Sequence, residues 1–367
     1  MHSDPEIRLY RPGDEAKIIQ LLEEIWGGWP KFDLPCSSIE HWRWKYQRSS
    51  SGEYPIAVAV SNNKMIGCNH SILLNIKIGD KTFLGTVSTD TAVHSEFRNK
   101  GVWENMRKLT QNTRRREGVA INYVTSANPI VIRSNSRQEQ RYRFPLDVLH
   151  LVRIQDMGYH LKKNPLKKTY LKKILLVFLK RKYTLQRFFR RSKSPGPLFT
   201  IRNIACFDER TRSFWNEAKD HYFFIIERDP DYLTWRHGDP RGGSYSIKIV
   251  ERDEKLLGYI ILKINNYNKE YPSGHIVDLL TLPDRLDVAE ALVKDSIKYF
   301  VDKKVNTIHC MISKKHPFEE IYRRNLFMGW KAIPLFYDEY ERIDGLESLA
   351  TTHPKRIYLS AGDFDFI

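Results

Sequence analysis

The chain has 367 residues, 41% hydrophobic and 28% charged, a balance that suits two soluble domains with substantial cores. Its formal net charge is +16, but residues 161–195 alone hold 13 Lys or Arg and no acid, which argues against the whole protein being a nucleic-acid binder. Four cysteines (Cys36, Cys68, Cys206, Cys310) stand far apart, with no C-x-x-C pair and no His cluster, which excludes a disulfide framework and a zinc site.

Residues 7–10 read as a first strand, and Pro12-Gly13-Asp14 opens a helix to about Trp26, with Ile18, Ile19, Leu22 and Ile25 facing inward. The aromatic run His41-Trp42-Arg43-Trp44-Lys45-Tyr46 either lines an acceptor pocket or packs against a sheet. Three strands follow near 55–60, 65–78 and 82–93, with hairpin turns at Asn62-Asn63 and Gly79-Asp80. The third strand ends in Ala92-Val93-His94-Ser95-Glu96-Phe97-Arg98-Asn99-Lys100-Gly101-Val102-Trp103. A strand, a glycine turn and a helix start in that order aim backbone amides and a helix N-terminus at one spot, which favours a diphosphate. Val102, Met106 and Leu109 share one face of the helix, basic residues fill the other, and Gly118 ends it. A strand at 120–125 follows, Asn128-Pro129 opens a helix read through to Tyr142, and another strand lies near 147–153.

In the basic segment, Leu171, Ile174, Leu175, Phe178 and Leu185 recur at roughly helical spacing among lysines and arginines. The pattern fits an interdomain helix, a helix lying on an anionic membrane surface, or, least well, a nucleic-acid contact. The second half then repeats the first. Trp44-Lys45-Tyr46 is mirrored by Trp235-Arg236-His237, and the interval to Gly67 and to Gly258 is 23 residues in both cases. Where the first copy has its glycine turn, the second has Leu282-Pro283-Asp284-Arg285-Leu286-Asp287, whose carboxylates oppose an anion. The chain closes on Gly362-Asp363-Phe364-Asp365-Phe366-Ile367, read as a docked strand.

Residues 92–103 resemble the acetyl-CoA-binding signature of the GNAT superfamily of N-acetyltransferases, Gln/Arg-x-x-Gly-x-Gly/Ala. Arg98, Gly101 and Trp103 occupy its three positions, and Trp103 departs from the pattern in the manner of a subgroup with an aromatic there. The resemblance implies an α/β fold of two tandem GNAT-like domains, each a mixed, mostly antiparallel sheet flanked by helices. The expected division is an active domain at 1–158, a basic helical linker at 159–199 and a degenerate copy at 200–367. It implies acetyl-CoA as acetyl donor, held by Ala92, Val93, Arg98, Asn99, Lys100, Gly101, Val102, Trp103 and Asn128, the last of which otherwise starts a turn. Asp90 is implied as base, with a strand-end cap as its other reading, and Tyr142 as the acid for the leaving thiolate. The ending resembles the Gly-Asp-x-Asp close of the same subgroup, some of whose relatives bring their C-terminus into the first domain's cleft, so Asp363 and Asp365 join the candidate catalytic residues.

The expectation is an enzyme that moves an acetyl group to a primary amine of a small molecule, an amino sugar among the candidates, without a metal. The alternative is a non-catalytic acyl-CoA-binding or membrane-associated scaffold. No leader-like apolar core and no bilayer-length stretch occur, so the expected location is cytoplasmic, with peripheral contact to anionic membrane through the basic helix.

Overall fold

A computed structural model describes residues 4–47, 55–126, 128–138, 141–156, 158–159, 199–282 and 284–364. The basic helix expected within 161–195 and Asp365 lie outside the described residues. The first half runs β1 (Glu6–Leu9), α1 (Glu15–Trp26), α2 (Ser38–Tyr46), β2 (Ala57–Ser61), β3 (Lys64–Ile78), β4 (Lys81–Val93), α3 (Val102–Arg116), β5 (Ile121–Thr125), α4 (Pro129–Ser136), β6 (Arg141–Arg143) and β7 (Val148–Ile154). The second runs β8 (Thr200–Ile204), α5 (Glu209–Lys219), β9 (Phe224–Ile226), α6 (Pro230–Leu233), β10 (Tyr245–Arg252), β11 (Lys255–Asn265), β12 (Ser273–Thr281), α7 (Leu286–Asp302), β13 (Thr307–Ser313), α8 (Pro317–Arg324), β14 (Met328–Ile333) and β15 (Leu335–Glu339). The α/β class, with two mixed sheets flanked by helices, is as the sequence implied.

β1 to β4 pair antiparallel, and the β2–β3 turn uses Asn62 and Asn63 at positive φ, the geometry that matches strand twist. β2 and β3 are almost wholly buried because helices cover both faces of the sheet. Ile18, Leu22 and Trp42 of α1 and α2 pack on one face, and Val102 and Met106 of α3 pack with Ala57, Ala59 and Ile66 on the other. β5 lies parallel to β4, but pairing covers only Gly85–Val87 against Ile121–Tyr123. Beyond Ser88 and Val124 the two strands part, and that opening positions the site.

The two halves exchange strands. The first sheet is ordered β1-β2-β3-β4-β5-β15-β6, with β9 also pairing β3, and the second is β14-β7-β13-β12-β11-β10-β8. The strand expected to close the first unit, β7, therefore lies between β13 and β14, and β15 fills the place beside β5. The physical reason is that β5 needs a partner on its far edge, which β15 supplies from Leu335 to Glu339. The repeat is visible at the junction. Trp44 and Trp235 stack with centroids 5.3 Å apart, and each indole N–H donates to the other's carbonyl, at 3.0 and 3.2 Å. The rest of the aromatic run is packed, with Trp42 and Tyr46 buried in the core.

Two local expectations are corrected. The helix after Asn128 ends at Ser136, and Tyr142 lies on β6, because Arg141–Arg143 pair with Phe336–Asp338 of β15. The tail is not a strand over 360–364: Ala361–Asp363 form a 3-10 turn whose capping Ser360 and Asp363 satisfy each other's backbone amides.

Candidate active site

At the end of β4 the chain turns through Asn99 (φ 60°) and Gly101 (φ 75°) into α3. A Cβ on Gly101 would meet nothing closer than Asn105 Nδ2 at 4.0 Å, so the left-handed φ, not crowding, calls for glycine there. No side chain caps α3, so the amides of Val102, Trp103 and Glu104 have no partner within the helix. Arg98 Nε donates to Val93 O at 3.0 Å, which folds the guanidinium over the strand end. Lys100 instead sits over the Phe97 ring, 5.4 Å from its centroid.

A cavity of about 420 Å³ opens from this turn into the gap between β4, β5, α3 and α4. Ala92, Val93, Arg98, Asn99, Val102 and Trp103 line it, six of the residues the sequence pointed to; Lys100, Gly101 and Asn128 do not. Asn128 starts α4: its carbonyl accepts from Ile132 N and its amide donates to Ser126 Oγ. Trp103 and Arg107 form one wall, the guanidinium 5.9 Å from the indole centroid. Beyond that wall is a shallower, cationic recess with Arg133 and Arg137.

The inner end of the cavity is polar. Asn69 donates to Thr91 Oγ1 at 3.1 Å and accepts from Thr110. Arg114, 1% exposed, donates to Ser71, to Ser88 at 3.3 Å and to Tyr340 at 3.0 Å. Arg141 holds Asp338 and donates to Asn135 Oδ1 at 2.6 Å. None of these residues stood out in the sequence. Trp103, Arg107 and Arg114 do share a helical face, and that spacing was the available signal, but it reads equally as a solvated basic stripe.

The opposite face of β4 carries a bulge. One residue, Asn69, stands between the pairs Cys68–Ala92 and His70–Thr89, where β4 has two, Asp90 and Thr91. Asp90 takes a left-handed φ of 37°, and a buried network holds it. Its carboxylate accepts from Lys45 Nζ at 2.7 Å and from Tyr46 OH at 2.5 Å. Its carbonyl accepts from His70 Nδ1 at 2.9 Å, and Trp42 Nε1 donates to His70 Nε2 at 3.2 Å, which fixes a neutral tautomer. Burial depresses His70 to about 4. Burial alone would raise Asp90, but the Lys45 charge, then His70 and the two hydrogen bonds, outweigh it and leave the carboxyl below its ordinary value. Asp90 does not line the cavity.

The other candidates are spread out. Tyr142 is half exposed and packs on Tyr337 with centroids 5.4 Å apart, outside the cavity lining. The Asp363 carboxylate is buried against Arg228 at 2.7 and 2.8 Å, beside Asp278. Its burial and the Asp278 charge prevail over Arg228, so its pKa is raised. The Asp363 carbonyl, however, accepts from Tyr123 OH of β5 at 2.5 Å, and Phe364 packs edge-on to that ring, 6.1 Å away. The tail thus reaches the first sheet at the strand bordering the opening. In the second copy, Asp287 at the start of α7 is bonded to Arg285 at 2.8 and 2.9 Å. Among the described residues no cluster of His, Cys, Asp and Glu is arranged to hold a metal ion, and no helix is long and apolar enough to cross a membrane.

Residues 6–134 match the family model described as an acetyltransferase (GNAT) domain. No curated protein sequence matches the chain. Among solved structures, the chain is similar to Saccharomyces cerevisiae N-myristoyltransferase with bound myristoyl-CoA, at 11% identity and TM-score 0.63, over 97% of this chain and 84% of that one. It is similar to an Enterococcus faecalis V583 protein described as a probable N-acyltransferase, at 12% identity and TM-score 0.60, over 92% and 73%. A third is a GCN5-related N-acetyltransferase from Anabaena variabilis, at 9% identity and TM-score 0.58, over 92% and 73%. At these identities the structures speak for the fold across nearly the whole chain, and the family model speaks for the first unit. Residues 6–134 are thus similar to a GNAT acetyltransferase domain, and the chain as a whole shares the fold of these structures.

Proposed function

We propose that the protein transfers an acyl group from an acyl-CoA to a primary amine of a small molecule, with acetyl-CoA the donor that the sequence resemblance implies and an amino sugar among the candidate acceptors. The observation that carries this reading is the cavity between splayed β4 and β5, entered at an uncapped helix N-terminus. In this reading the diphosphate of CoA sits on the amides of Val102, Trp103 and Glu104 beside Arg98, where helix dipole and guanidinium both favour negative charge. The nucleotide lies toward Trp103, Arg133 and Arg137, and the pantetheine arm follows Val93 and Ala92 inward. The amine attacks the thioester carbonyl, a C–N bond forms, the C–S bond breaks and CoA leaves as its thiol. Asp90 serves this chemistry by holding the bulge through Lys45 and Tyr46, since its carboxylate is committed to them. The second unit, with Asp287 and Arg285 at the equivalent helix start, is the non-binding copy.

The test is titration calorimetry of the full chain with CoA and acetyl-CoA, joined to a thiol-release assay over amino sugars, amino acids and polyamines. Binding with amine-dependent thiol release is the expected result. Binding without release for any amine would favour the non-catalytic acyl-CoA-binding reading. Absence of CoA binding would overturn both.

A further inference from the structure

The inner end of the cavity has more positive charge than its own fold uses. Arg98 lines the cavity at its mouth and Arg107, Arg114 and Arg141 line it further in, and Glu104 is the only acid among the described lining residues. Arg141 is neutralised by Asp338. Arg114 is not neutralised: it is fully buried, its partners are the hydroxyls of Ser71, Ser88 and Tyr340, and no described carboxylate lies within ion-pair distance. Asp338 is reached only at second hand, through Tyr340, whose hydroxyl donates to it at 3.5 Å, and through Ser88, which donates to Asn122 Oδ1 at 3.0 Å, whose Nδ2 in turn donates to Asp338 at 3.1 Å. Three buried polar atoms around this point have no hydrogen-bond partner among the described residues, namely Arg114 Nε, Arg107 Nε and Asn135 Nδ2. A guanidinium buried among hydroxyls, with unused donors beside it, is costly unless an anion completes the set.

We infer that this inner end is a carboxylate subsite, formed by Arg114, Arg107 and Asn135, and that one of the two substrates carries a carboxylate close to the reacting thioester. The inference rests on the acyl-CoA reading of the same cavity and adds the chemical class of what it takes. Distance supports the location. From Val102 to Arg114 the helix rises about 18 Å, comparable to an extended phosphopantetheine arm, so a diphosphate at the start of α3 brings the thioester level with Arg114. The carboxylate then has two sources: the far end of a dicarboxylic acyl group, or an acceptor that is an amino acid rather than a plain amine. Arginine suits both, since its planar fork matches a carboxylate with two parallel bonds. A long hydrocarbon chain does not suit it, since its end would bury this charge without a partner.

The experiment measures two ratios on the full chain. Calorimetry compares succinyl-CoA with acetyl-CoA, and thiol release compares amino acids with their decarboxylated amines. The expected result is a preference of about tenfold for the carboxylate-bearing member of one pair, the pair identifying the source. That preference should fall toward unity in Arg114→Met and in the half-buried Arg107→Gln, with Arg107→Gln decisive if Arg114→Met fails to fold. Equal treatment of both pairs, or a preference that survives both variants, overturns the subsite while leaving acyl-CoA binding intact. Failure of unmodified CoA to bind would instead remove the reading on which it rests.

Discussion

Replacing Lys45 with methionine should destabilise the fold with a pH dependence of a definite sign. Lys45 is 4% exposed and stands 2.7 Å from the Asp90 carboxylate, whose side chain is 9% exposed and sits on a strained bulge. Removing one partner of a buried pair costs about 3–5 kcal/mol, because the other charge is left without compensation. Proton uptake sets a ceiling. A carboxyl that ionises near 3.9 when unfolded and stays neutral when folded loses about 1.4 kcal/mol per unit of pH above that value, so about 4 kcal/mol at pH 7 and about 1.5 at pH 5. In the unmodified protein the Asp90 pKa is lowered, so its contribution is present above about pH 4 and is lost as pH falls through the folded value. In Lys45→Met the burial that Lys45 now outweighs takes over, the folded pKa rises, and the deficit shrinks on acidification. Urea unfolding of both proteins at pH 7 and pH 5 checks this, with Lys45→Met/Asp90→Asn recovering most of the loss at pH 7. A deficit below about 1 kcal/mol at pH 7, or one that holds or widens at pH 5, would refute the buried-pair account.

Gly101→Glu adds a carboxylate at the proposed diphosphate site and a side chain at φ 75°, so CoA affinity should fall on the order of 3 kcal/mol, about a hundredfold, whereas Gly101→Asn tolerates the left-handed φ and should retain most binding; equal affinities for both variants by calorimetry would contradict the site. The full chain should bind one acyl-CoA, not two, because Asp287 and Arg285 occupy the start of α7; a stoichiometry of two would mean that the second copy is functional. This is measured on the intact protein, since β7 belongs to the second sheet and a fragment from residue 200 would lack a strand. Trp235→Phe removes the donor to Trp44 O and should cost about 1–3 kcal/mol in thermal unfolding, and no change would show that the stacked junction carries little stability.

Much of the fold was legible because its signals were local. Alternating and fully apolar runs marked β2 to β5, paired asparagines marked a hairpin, and the Arg98 to Trp103 turn marked the mouth of the cavity. The repeat itself was legible from Trp44, Trp235, Gly67 and Gly258. The strand exchange was not, because β7 and β15 are short strands of ordinary length, and nothing in their composition says which sheet edge they meet. Tyr142 was misplaced for a similar reason, since residues 130–142 carry no strong stop signal and only pairing with β15 makes β6 a strand. The polar end of the cavity was hidden because Asn69, Ser88, Arg114 and Asn135 come from four elements and converge only in three dimensions.

The two copies show how one position can take on different duties. Asp90 stands three residues before Val93, the partner of Gly67, and Asp278 stands three residues before Thr281, the partner of Gly258. They are the same position in the two units, and each carboxylate is almost wholly enclosed at an irregular register of its strand. In the first unit the partners are Lys45 and Tyr46 from α2, all within one half. In the second they are Arg228, Tyr259 and Tyr358, and Arg228 also holds Asp363 of the tail. Two carboxylates share one guanidinium there, which is why Asp278 is lowered while Asp363 is raised. The second acid therefore anchors the 3-10 turn that carries the Asp363 carbonyl and Phe364 to Tyr123 on β5. One copy keeps the groove and uses its acid to hold the bulge; the other has a charged pair where the groove would begin and uses its acid to bring the chain's end to the first copy's sheet. The exchanged strands tie both duties into one core, so the second unit is a structural part of the sheet that frames the candidate site in the first.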